Sequence, residues 1–144
     1  GLFKPHTWCL GSQYWARNPH IQGYFARYGI LLDMVGGKGA TFYREPYSYR
    51  TARKEVKKVW EKAHELGYGN WFINQEGAEV TDDHVYVHSI GRIPCIDIIN
   101  YDPNCDRSSF GPTWHTVNDT MENIDPAVLR AAGQTVMQVI YNEK

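Results

Sequence analysis

"YGILLDMVGG", Tyr28 to Gly37, is a compact apolar run that carries one acid, Asp33, and ends on two glycines. Its length and composition predict a buried strand whose carboxyl end holds Asp33. "IPCIDIIN" (93–100), entered through Pro94, predicts a second buried strand. Between them "TARKEVKKVWEKAHELGYG" puts Val56, Val59, Trp60, Ala63 and Leu66 on one helical face, with Gly67 as the stop. Helices alternating with short apolar strands predict an α/β fold with helices on both faces of the sheet. Ligands in such sheets bind beyond the carboxyl ends of the strands, which is where Asp33 is expected. Two strongly marked strands are few for a complete sheet, so the chain is expected to be part of a domain.

Moving outward, Ser12 before "QYWARN" predicts a short helix stopped ahead of Pro19. "NWFIN" (70–74) reads as a short strand, and "DDHVYVHSIG" as a helix opened by its acids. After a Pro-, Gly- and Ser-rich loop over 101–113, Asp125 and Pro126 predict the cap of a last helix. Its buried side is expected to carry Val128, Leu129, Ala132, Val136, Val139 and Ile140.

The chain has 144 residues, the size of one domain, and 42% hydrophobic content, enough for a real core. Lys and Arg number 15 against 16 Asp and Glu, and the one basic cluster lies on the predicted helix, so nothing points to nucleic acid. No apolar run approaches the roughly 18 to 20 residues of a membrane span, and no charged-then-apolar leader opens the chain. The chain starts "GLFKPHTWCLGSQYW" without Met, so it is expected to begin inside a longer protein. Cys9, Cys95 and Cys105 form no C-x-x-C pair; at most one disulfide is possible, and Cys95 is expected to be buried.

Three places offer chemistry. Asp33 lies in an apolar strand, where a carboxylate is costly unless bound to a metal, a donor or a shared proton; a capped structural Asp is the alternative. Asp82, Asp83 and His84 stand in succession at a predicted helix start, where capping alone explains acids, although such a cluster also suits zinc. His115, in "FGPTWHTVNDTMENID" (110–125), follows a Gly/Pro loop that can present it at a pocket rim, with Phe110 and Trp114 as apolar walls. His6, His20 and His64 lack such surroundings. Asp119 and Asp125 are expected to hold turns and caps.

Taken in order, "GILLDMVGG", "VTDDHVYVHSIGRIPCIDII" and "FGPTWHTVNDTMENID" resemble the C-terminal two-thirds of the zinc-dependent exopeptidase superfamily, which includes aminopeptidases and glutaminyl cyclases. The resemblance implies a three-layer sandwich with a mostly parallel central sheet. Residues 1–144 would be the C-terminal portion of its single catalytic domain. Two acids before His84, and Trp114 before His115, are more similar to the glutaminyl cyclases. That branch implies conversion of a peptide's N-terminal glutamine to pyroglutamate with release of ammonia, assisted by zinc. His115 would be a zinc ligand, Asp33 and Asp82 a catalytic acid pair, and Phe110 and Trp114 the substrate pocket. Thr81 departs from the Gln that a cyclase can have there. The alternatives are a two-zinc aminopeptidase, in which Asp33 also ligates metal, and a noncatalytic module that binds a peptide terminus. The remaining zinc ligands and the catalytic Glu would lie upstream, since none is identifiable in residues 1–10, and the 144-residue chain alone is expected to be inactive. The resemblance also implies a bacterial periplasmic or outer-surface enzyme acting on peptide or protein N-termini.

Overall fold

The computed structural model describes residue 4 and residues 7–143. In chain order the elements are α1 (Leu10–Arg17), β1 (Gly29–Asp33), β2 (Phe42–Arg44), α2 (Pro46–Thr51), α3 (Arg53–Glu65), β3 (Phe72–Glu76), α4 (Asp83–Ser89), β4 (Cys95–Ile99) and α5 (Pro126–Tyr141). The two apolar runs pair in parallel, from Gly29 opposite Cys95 to Asp33 opposite Ile99, so their carboxyl ends coincide. β2 and β3 form a second parallel pair. A bridge between Phe42 and Asn100 ties that pair to the end of β4.

β4 is buried along its whole length. Because side chains alternate across a strand, Ile96 and Ile98 join Val56, Val59 and Trp60 of α3 and Val128 and Val139 of α5 in one apolar cluster. Each such side chain, fully buried, contributes about 1.5–3 kcal/mol. The opposite side carries Asp97, which meets Ser48 of α2 and His84 of α4. Helices thus cover both sides of a parallel sheet, as the α/β reading requires.

Four differences from the sequence reading have physical causes. The predicted amphipathic helix is α3, and a helix the sequence reading did not mark precedes it: Glu45 caps α2, with Pro46 at its first turn, and Ala52 (φ -138°, ψ 46°) breaks it from α3. α1 starts at Leu10, so Ser12 lies inside it and donates its hydroxyl to the Cys9 carbonyl. On α5 the covered stripe is Val128, Ala131, Ala132, Thr135 and Val139, leaving Leu129 45% and Ile140 52% exposed. His64 is a structural residue, with Nε2 2.8 Å from the Phe72 carbonyl. Cys9, Cys95 and Cys105 are all free thiols, Cys95 buried as expected.

Candidate active site

The apolar register of β1 carries Asp33 to the sheet's carboxyl end, and there it meets Asp82, the N-cap of α4. Asp82 Oδ1 accepts the Asp83 N–H at 2.6 Å, as an N-cap does. Burial raises the Asp33 carboxyl, and the Asp82 charge and a side-chain hydrogen bond between the two acids raise it further. Two carboxyls in contact disfavour each other's ionisation, so the charge of Asp82 makes Asp33 easier to protonate. The predicted pair is therefore brought together.

Cys9 adds a third group that sequence reasoning did not place here. Its thiol donates toward Asp82 Oδ1 at 3.7 Å. Burial, then Asp82 and Asp83, push its pKa up to about 12, so it stays a thiol. Among the described residues, Cys9, Asp82 and Asp83 are the one set of three metal-capable donors within 4.8 Å of one another. His84 is not in it. The imidazole turns inward, fully buried, with Nε2 3.2 Å from Glu45 and Nδ1 3.6 Å from Asp97. The expected Asp82–Asp83–His84 cluster is thus divided between a rim and a core.

Asp97 was also missed, although it interrupts an apolar strand as Asp33 does. It is 1% exposed. Burial first, then the charges of Asp82, Asp33, Glu45 and Asp83, raise its carboxyl to about 9. At neutral pH this favours the protonated acid, whose Oδ2 lies 3.6 Å from His84 Nδ1, beyond hydrogen-bond distance. Glu45 behaves oppositely: burial pushes it up, but hydrogen bonds from His84, Ser48 and backbone N–H groups outweigh this and hold it below the usual range.

The second half of the site follows β4. Asn100 donates to the Phe110 carbonyl at 2.9 Å and accepts the Thr41 N–H at 3.1 Å, pinning the loop to the sheet. Gly111 permits this, because its φ of 99° disfavours a side chain and a Cβ would come 3.1 Å from Asn100 Nδ2. Phe110 and Trp114 then pack with ring centroids 5.1 Å apart. They line a cavity of about 420 Å³ together with Asn100 and with Met34, the residue after Asp33. Asp119 is also on its lining, and Asp125 caps α5 by accepting the Ala127 N–H.

His115 is exposed and follows Trp114, but is not itself on the cavity lining. Its ring stacks on Trp114 with centroids 3.9 Å apart and planes 16° apart. Among the described residues, three of the four left-handed non-glycine ones, Cys9, Met34 and His115, belong to these surroundings. Each such conformation costs about 1–3 kcal/mol, and such residues cluster at functional sites. A cleft of about 520 Å³ between Arg44, Trp60, His64 and Asn74 is remote from these groups and contains none of them.

The sequence pattern of peptidase family M28 matches residues 6–140. The chain belongs to family M28. Its fold superposes on the Tannerella forsythia glutaminyl cyclase with a TM-score of 0.94 at 59% identity, covering 100% of this chain and 49% of that one. A Zn-dependent exopeptidase from Parabacteroides distasonis gives 0.95 at 57% identity, over 99% of this chain and 49% of that one. A leucine aminopeptidase precursor from Bacteroides thetaiotaomicron gives 0.93 at 53%, over 100% and 47%. This M28 chain therefore spans about half the length of these relatives, less than the two-thirds expected.

The family suggests zinc. The residues present fit a share of a zinc site: His115 is an exposed imidazole oriented by stacking on Trp114. Catalytic zinc takes three protein ligands and an open position. His115 would supply one of those ligands.

Proposed function

We propose that this M28 chain forms the C-terminal portion of a single catalytic domain that cyclises the N-terminal glutamine of peptides to pyroglutamate. The observation that carries this reading is the pair of Asp33 and Asp82, with Met34, the residue after Asp33, on the lining of an aromatic-walled cavity. The reaction joins the peptide's α-amine to the γ-carbonyl carbon, breaks that carbon's bond to the side-chain nitrogen and releases ammonia. Because both partners lie in one molecule, holding them together in a dry pocket supplies much of the acceleration. Phe110 and Trp114 exclude water and hold the substrate stem. The acid pair hydrogen-bonds the departing nitrogen, while the proton leaves the amine for that nitrogen through the catalytic Glu expected upstream of this chain. When bound, with His115 among its ligands, zinc would polarise the γ-carbonyl.

The aminopeptidase reading has its own support in the leucine aminopeptidase precursor, of similar identity. In that case Asp33 would be a ligand of a second zinc. Full-length gene product is the material for the test, with metal analysis beside the assays. Ammonia release from a Gln-initiated peptide with about one zinc per molecule supports the cyclase. Cleavage of an aminoacyl anilide with about two zincs would assign the aminopeptidase instead. Peptide binding that needs no zinc would favour the noncatalytic module. By family resemblance we also propose a periplasmic or outer-surface location, which cell fractionation checks. No helix among the described residues is long and apolar enough to cross a membrane.

A further inference from the structure

One buried carboxylate is fastened to the chain on both sides of Asp82. Glu45 Oε1 accepts the Val80 N–H at 3.2 Å, two residues before Asp82. Glu45 Oε2 lies 3.2 Å from His84 Nε2, two residues after it. The same carboxylate accepts the Tyr47 N–H at 2.9 Å, and the Ser48 N–H and hydroxyl at 2.6 Å each. Glu45 is only 2% exposed, and His84 is 0% exposed.

Capping does not account for this arrangement. Ser, Thr, Asp and Asn suffice to accept an N–H of a first helical turn, and α2 is only 6 residues long. A carboxylate beyond 95% burial is rare unless its charge is compensated, and here Tyr47 and Ser48 of α2 supply part of the compensation while His84 and the Val80 amide, which bracket Asp82, supply the rest. Asp82's own side chain accepts from Asp83 and Cys9, whereas Glu45 holds Val80 and His84 on either side of it. Its place opposite Asp33 depends on where the 80–84 backbone runs. On the far side of His84, Asp97 stands 3.6 Å from Nδ1, closing the imidazole between two acids.

We propose that Glu45, acting through His84 and the Val80 amide, is the positioning residue that holds Asp82 against Asp33. This rests on the cyclase reading for the catalytic part assigned to Asp82. The placement itself is a property of the fold and can be tested separately.

The test is Glu45→Gln in the full-length gene product, assayed for ammonia release from a Gln-initiated peptide. The amide keeps the shape and removes the charge that compensates the bracket. A misplaced catalytic group lowers turnover more than binding, so kcat should fall about tenfold or more with KM within about twofold. Zinc content and near-UV circular dichroism should not change. Unchanged kcat in folded Glu45→Gln overturns the proposal. A second pair of variants guards against a folding failure: His84→Gln, which keeps a donor toward Glu45, should retain most of the rate, and His84→Leu should lose it. Equal rates in those two also overturn it. Amide hydrogen exchange on the same proteins separates the two levels. If the wild type releases no ammonia, the cyclase reading falls. The positioning role then stands if Glu45→Gln, or His84→Leu where Glu45→Gln does not fold, speeds exchange at residues 80–84 and leaves α5 unaltered. It falls if exchange at 80–84 is unaltered.

Discussion

On one side of β4, Ile96 and Ile98 are fully buried among Val56, Val59, Trp60 and Val128. One residue away, on the other side, Asp97 faces His84, with Ser48 and Glu45 next to it. Both sides are equally closed to water, yet the first contains only apolar groups and the second packs two acids and an imidazole. Burying apolar area stabilises the fold without direction. Burying charge costs energy unless each group is paired, and fixes geometry where it is paired. The Ile side is accounted for by stability alone. The Asp97 side adjoins Asp82 and Asp33, the acids of the proposed site, whose charges reach it.

The largest effect should come from breaking the apolar side. Phe72→Ala removes a fully buried ring that packs edge-on against Phe42 and Trp60, and should cost about 3–5 kcal/mol in denaturant unfolding. On the polar side, Asp82→Ala should leave the fold in place. It should lower ammonia release by the full-length gene product about 100-fold or more, read as kcat; an unaltered rate would remove Asp82 from the reaction.

Asp97→Asn sharpens the comparison through pH. Its pKa is raised from 3.8 to about 9 in the folded chain, so folding favours the protonated form. The stability this contributes is full below the unfolded value and is lost as pH rises through the folded one. Wild-type unfolding midpoints should therefore decline across that window, and Asp97→Asn should flatten the decline. A steep decline that persists in the variant would mean that another group titrates. The smallest effect is expected at Ile140→Ala, because Ile140 is half exposed on α5; a change within about 0.5 kcal/mol is predicted by the same unfolding assay.

The strands that hold the site were legible because apolar runs bounded by glycine or proline declare themselves within a few residues. Asp33 stood out for the same reason, and Asp97 carried the same signal in "CIDII". β2 escaped because Phe42–Arg44 is only 3 residues long and polar at one end. α2 escaped because its helical face is Tyr and Ser, although Glu45 followed by Pro46 is a start signal. On α5, Leu129 and Ile140 were placed on the covered side by their hydrophobicity, whereas the packed stripe runs through Thr135. Long-range pairings were beyond reach: nothing local in "YREPYS" says that Glu45 meets Val80 and His84, or that Cys9 meets Asp82. Such contacts are set by the topology of the folded sheet.

The central claim is that the Asp33–Asp82 pair and the Phe110–Trp114 wall serve cyclisation. Its most direct test is to incubate the full-length gene product with a Gln-initiated peptide and follow ammonia and the free α-amine together, beside an aminoacyl anilide. The account predicts that ammonia appears as the amine disappears, that Asp82→Ala stops both, and that the anilide stays intact. Anilide cleavage without ammonia release would contradict it.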